Sequence, residues 1–122
     1  MKKILYIEDN EDTANAVKII LDNAGFETQL AFTGKQGLKI AEKEKFDLIL
    51  LDIMLPDMSG WDIFEKLKPL NELNSVEIIF LSVIPVSKER MMELKREGVM
   101  DYIVKPFIKK DLIKRIERVF WD

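Results

Sequence analysis

Residues 47–52 read Asp-Leu-Ile-Leu-Leu-Asp, four consecutive apolar side chains with an acid at each end. A strand wetted on one face alternates apolar and polar residues. An unbroken run this short therefore predicts a strand covered by helices on both faces, as in the middle of a parallel sheet. Ile4-Leu5-Tyr6-Ile7 repeats the pattern and also runs into acids, Glu8 and Asp9. Open parallel sheets bind ligands beyond the carboxyl ends of their strands. If the two strands are neighbours, Glu8, Asp9 and Asp52 share one pocket there.

The remaining chain alternates in the same way. Strands are expected near 3–8, 26–31, 47–52, 76–82 and 101–104. Between them, Ala14, Val17, Ile20, Leu21 and Ala24 form a helical stripe closed by Gly25, and Gly34, Leu38 and Ala41 a weaker one. Trp61, Phe64, Leu67 and Leu70 mark a third helix, entered from the turn Pro56-Asp57-Met58-Ser59-Gly60 and expected to end early at Pro69. Met91, Leu94 and Gly98 outline the fourth; Leu112, Ile113, Ile116, Val119 and Phe120 give the fifth its buried face, and Lys109, Lys110, Lys114, Arg115 and Arg118 its solvated one. No linker or repeat divides the pattern. Five strand–helix units with right-handed crossovers predict an α/β domain over residues 1–122, a three-layer α/β/α doubly wound parallel sheet.

Three carboxylates in one pocket oppose one another's ionisation unless a cation compensates. Oxygen donors suit Mg²⁺ or Mn²⁺, and the absence of any His or Cys argues against zinc. Taken singly, Asp9 reads as a helix cap; the three acids together do not. The net charge of −3 offers no basic excess for a phosphate backbone, so nucleic acid is not expected as a direct partner. Met1-Lys2-Lys3 precedes only four apolar residues, too few for a signal peptide or a membrane span. With no cysteine to form disulfides, a soluble cytoplasmic protein is the expectation.

Two further groups fall at strand ends. Val76-Glu77-Ile78-Ile79-Phe80-Leu81 stops at Ser82, and Tyr102-Ile103-Val104 leads to Lys105-Pro106-Phe107. Alone, Ser82 reads as a turn residue and Lys105 as a surface charge. A hydroxyl, an ammonium group and three acids all at strand ends make a stronger pattern.

In these residues the chain resembles the receiver domains of two-component response regulators. The resemblance rests on Glu8-Asp9, the segment Asp47-Leu48-Ile49-Leu50-Leu51-Asp52-Ile53-Met54-Leu55-Pro56-Asp57-Met58-Ser59-Gly60, Ser82 after its apolar strand, and Gly98 followed by Asp101-Tyr102 and Lys105-Pro106-Phe107. It implies a flavodoxin-like fold with strand order 2-1-3-4-5 and transfer of a phosphoryl group to Asp52 from a sensor histidine kinase or a histidine phosphotransfer protein. It further implies that Asp9 and Asp52 bind Mg²⁺ directly, Glu8 through water and Met54 through its backbone carbonyl. Lys105 and Ser82 would hold phosphoryl oxygens, and the Lys105–Pro106 bond would be cis. Ser82 and Tyr102 would act as the switch, Tyr102 turning inward on phosphorylation. The fourth helix, fifth strand and fifth helix would then present the output face to a downstream protein, to an attached output domain, or to a second copy in a phosphorylation-dependent dimer. No helix-turn-helix or catalytic domain follows Trp121, so either a stand-alone receiver or part of a longer regulator is expected.

Two departures stand out. Val83 occupies a position that is commonly small in the family, where it should narrow access to the pocket. Met54 and Ile84 supply no polar side chain to orient an attacking water, which predicts slow loss of the phosphoryl group. Two rival readings remain. A small aspartyl-phosphate phosphohydrolase would carry a second Asp two residues after the nucleophile, where Met54 stands. A receiver-like interaction module would dispense with phosphorylation, which the intact Asp9, Asp52, Ser82 and Lys105 set argues against.

Overall fold

A computed structural model describes residues 1–121, residues 71–74 by their backbone only. The elements run β1 (Lys3–Ile7), α1 (Glu11–Asn23), β2 (Glu27–Ala31), α2 (Gly34–Lys43), β3 (Leu48–Leu51), α3 (Gly60–Asn74), β4 (Glu77–Ser82), α4 (Lys88–Arg96), β5 (Val99–Val104) and α5 (Lys109–Trp121). All strand pairs are parallel, and the sheet order is β2-β1-β3-β4-β5. This is the expected doubly wound, flavodoxin-like arrangement.

Alternation along the strands divides the core. Leu5, Ile7, Ile49, Leu51, Ile78 and Phe80 face α2, α3 and α4, where they meet Ala41, Ile63, Phe64, Leu67 and Leu94. Ile4, Tyr6, Leu48, Leu50, Ile79 and Leu81 face α1 and α5, against Ala14, Val17, Leu21, Leu112 and Ile116. The continuous apolar runs thus reflect burial on both faces. Side-chain caps start four helices: Asn10, Thr33, Ser59 and Ser87 accept the N–H groups of Thr13, Gln36, Asp62 and Arg90. Gly25 follows α1 at φ 96°, a left-handed turn that suits glycine.

Two expectations are corrected. Pro69 lies inside α3, which continues to Asn74. A proline removes the N–H that would bond the carbonyl four residues back. Pro69 and Glu65 are both exposed, so water can satisfy that carbonyl while Leu67 and Leu70 keep the helix packed against the core. β5 begins at Val99, two residues before the start expected at 101. As an edge strand it leaves Met100 and Val104 partly in solvent, and its pairing with β4 shifts register between Ile78 and Ile79, so the apolar signal is interrupted.

Candidate functional site

The topology sets Glu8 and Asp52 side by side. β1 pairs with β3 with Ile7 opposite Leu51, and the Asp52 N–H donates to the Ile7 carbonyl at 3.1 Å. Glu8 is 2% exposed and Asp52 6%, whereas Asp9 stands in solvent. One carboxylate oxygen from each of the three lies within 4.8 Å of the others. Lys105 enters from the end of β5, where its own N–H donates to the Ser82 carbonyl at 2.8 Å. Its ammonium group lies 3.1 Å from Asp52 Oδ2 and forms an ion pair with Glu8 Oε1. The Lys105–Pro106 bond is cis.

Asp52 is held on both sides, Oδ1 accepting the Met54 N–H at 3.0 Å and Oδ2 facing Lys105. Burial pushes its carboxyl above the usual carboxylate range, with Glu8 adding to the rise while the Met54 N–H and Lys105 oppose it. Burial acts on Lys105 in the opposite sense, but Glu8 and Asp52 outweigh it and the ammonium is held more firmly protonated than usual. Three carboxylates against one ammonium leave the pocket about two positive charges short.

That deficit, with an all-oxygen donor set, fits a divalent cation of the Mg²⁺ kind. One oxygen from each acid lies within 4.8 Å of the others, close enough for one ion to be shared directly or through water.

Ser82 is fully buried at the end of β4; its Oγ accepts the Ile84 N–H at 3.4 Å, and its hydroxyl also meets that of Tyr102. Tyr102 is only 5% exposed and donates its hydroxyl to the Ile84 carbonyl, with its ring 5.9 Å from Phe80. The ring that the resemblance expects to turn inward is therefore already inside. Met54 and Val83 are each 58% exposed.

Two contacts of the site had escaped the sequence. The pairing of Lys105 with Glu8 spans 97 positions and has no local signature. The Tyr6 hydroxyl donates to Glu8 Oε1 at 3.0 Å; its one signal was a tyrosine among aliphatic residues, two positions before an acid. A cavity of about 500 Å³ lined by Phe46, Asp47, Ile49, Leu70 and Val76 lies at the opposite ends of the strands, away from the carboxylates.

Residues 4–117 match the model of the response regulator receiver domain. The chain belongs to that family. It is 38% identical over 114 residues to the transcriptional regulatory protein CusR of Escherichia coli K12, a match covering 93% of this chain and 49% of CusR, so the receiver spans about half the length of that relative. The chemotaxis response regulator CheY4 of Vibrio cholerae has the same fold, with a TM-score of 0.87 at 30% identity over 98% of this chain and 99% of its own. The response regulator TrrA of Thermotoga maritima, solved in complex with Mg²⁺–BeF, gives 0.83 at 25% identity over 98% of this chain and 100% of its own. Receiver domains are signalling modules of two-component systems and not enzymes in the ordinary sense, so neither rival reading is favoured. Among the described residues, no helix is long and apolar enough to cross a membrane.

Proposed function

We propose that Asp52 accepts a phosphoryl group from the phosphohistidine of a sensor histidine kinase or histidine phosphotransfer protein, and that the modified pocket resets the face formed by α4, β5 and α5. The observation that carries this reading is the convergence of Glu8, Asp9, Asp52 and Lys105 from three strand ends. A carboxylate oxygen of Asp52 attacks phosphorus; the P–N bond breaks, and the imidazole leaves with the electron pair and takes up a proton. Lys105 moves from the Asp52 oxygen to a phosphoryl oxygen as a point charge. Ser82 turns its hydroxyl from Tyr102 to donate to another phosphoryl oxygen.

Asp9 and Asp52, the Met54 carbonyl and, through water, Glu8 would hold Mg²⁺, with Mn²⁺ as an alternative. Bound there, the ion supplies the missing positive charge and spreads that of the transferring group. In TrrA the same fold carries Mg²⁺ with BeF, which supports this assignment.

The new group adds about 1.5–2 negative charges. Ser82 is drawn toward it, and Ile84 and Tyr102 follow, because Ile84 bonds Ser82 through its N–H and Tyr102 through its carbonyl. Tyr102 therefore acts as part of the switching loop from an inward position it already holds. The changed face addresses a downstream protein, an attached output domain or a second copy of the chain; the reading places the protein in the cytoplasm, free of membrane and of direct nucleic-acid contact. Met54, Val83 and Ile84 around the pocket bring no group that would position an attacking water, so the acyl phosphate is lost slowly.

Incubation with a small acyl-phosphate donor and Mg²⁺, followed by intact mass and sedimentation, tests this reading. Wild type is expected to gain one phosphoryl group and to self-associate more; Asp52→Asn, or wild type without Mg²⁺, should gain none. An unmodified wild-type mass under these conditions refutes acceptance at Asp52.

A further inference from the structure

The tyrosine at position 6 is placed where packing alone would take an aliphatic residue. Its neighbours along β1 are Ile4, Leu5 and Ile7, and its register partners are Leu30 on β2 and Leu50 on β3. It is 0% exposed, so its hydroxyl is cut off from water, and a buried hydroxyl without a partner is costly. Strand geometry supplies the partner. Residues two apart share a face, so Tyr6 and Glu8 point the same way, and the hydroxyl donates to Glu8 Oε1 at 3.0 Å.

Glu8 Oε1 therefore takes two donors, the Tyr6 hydroxyl and the Lys105 ammonium, while Oε2 accepts the Asn10 N–H at 3.2 Å. Three donors from three directions fix the carboxylate rotamer. With Oε1 occupied by protein groups, Oε2, which takes only one backbone N–H, is the better placed oxygen to serve a cation or its water. We infer that Tyr6 is a positioning residue for Glu8, holding that carboxylate in the orientation that serves the divalent cation of the pocket. The inference rests on the function proposed above. It assigns Tyr6 no contact with phosphorus or with the ion, and Lys105 remains paired with Asp52 in its absence.

Tyr6→Phe removes one oxygen and keeps the ring, so packing of the α1/α5 face is preserved. Losing an outer hydrogen bond of a metal site typically weakens binding by about 10–100-fold. Mg²⁺ affinity, read by calorimetry and by the rise in melting temperature with added Mg²⁺, is expected to fall about tenfold in Tyr6→Phe. The Mg²⁺ concentration for half-maximal phosphorylation should rise in parallel, while the rate at saturating Mg²⁺ stays within about twofold. In a Glu8→Gln background, where the carboxylate is already gone, adding Tyr6→Phe should change Mg²⁺ affinity by less than about twofold. Unchanged affinity in folded Tyr6→Phe, or an equal loss in the Glu8→Gln background, overturns the inference. Failure of wild type to bind Mg²⁺ would instead overturn the functional reading beneath it.

Discussion

Asp57, five residues beyond Asp52, holds a different element in place. Its two carboxylate oxygens accept the N–H groups of Gly34 and Lys35 at 2.8 and 2.9 Å, capping α2 from another loop. Those N–H groups have no partner within the helix, and a negative charge at a helix start is favourable. Asp57 is exposed, so solvent screening places the value of the cap in the lower part of the usual range, and Asp57→Ala is expected to cost about 1 kcal/mol in urea unfolding at neutral pH. The same bonds, Lys35 first and then Gly34, hold the Asp57 carboxyl below the usual carboxylate range. A folded-state pKa below the unfolded one means that this stabilisation is whole at neutral pH and fades as pH falls through the folded value. The gap between wild type and Asp57→Ala should therefore close at acid pH. A gap that persists or widens there would show that the charge is not what α2 uses.

The approach of α3 to the acceptor strand depends on Gly60. Its N–H donates to the Ile53 carbonyl at 2.7 Å, and a Cβ added there would press on the Asp52 carbonyl and lie 2.6 Å from Ile53 Cα. Those are backbone atoms, so relief requires moving the strand end that carries Asp52. Gly60→Ala is expected to destabilise the fold by about 1–3 kcal/mol, read by urea unfolding, and to slow phosphorylation of the molecules that remain folded. Normal stability with a normal rate would mean that the loop absorbs the methyl group without moving Asp52. This crowding clarifies which features were legible in the chain. Strands β1, β3 and β4 were readable because burial on both faces leaves runs that no helix stripe imitates; Glu8, Asp52 and Ser82 stood out because each directly follows or ends such a run, Asp9 as the neighbour of Glu8, and Lys105 after the shorter run Tyr102-Ile103-Val104. The early start of β5 was hidden by Met100 and Asp101, which an edge strand tolerates and a central one would not. Pro69 misled because proline is costly inside a helix, yet the cost falls on a carbonyl open to water. The partners of Tyr6 and Asp57 were not legible as such: an aromatic ring in a core run and an acid in a turn are ordinary residues until the fold brings Glu8 and α2 to them.

Across the whole molecule, the pocket and the output face are joined through one side of the core. Tyr102 contacts Phe80 at 5.9 Å, Phe80 contacts Trp61 at 4.9 Å, and the Arg90 guanidinium lies 5.0 Å over the Trp61 ring, tying α4 to α3. Lys68 of α3 and Glu97, the residue that caps α4, add a second tie at 3.2 Å. Because cores are close-packed, a shift of the Ser82–Ile84 loop cannot be absorbed by empty space around Tyr102, and the aromatic row gives it a path to α4 beside the loop's own continuation into that helix. The chain has two tryptophans, and the other, Trp121, stacks on Phe26 at the far end of α5. They therefore divide the molecule into a reporting half and a silent half. Trp121→Phe, which leaves Trp61 alone, is expected to change its fluorescence when acyl-phosphate donor and Mg²⁺ are added together, and to return to its starting value as the phosphoryl group is lost. Trp61→Phe, which leaves Trp121 alone, should remain constant through the same cycle. A response from Trp121 with none from Trp61 would place the route to the surface along α5, and α4 would then be a bystander to the chemistry at Asp52.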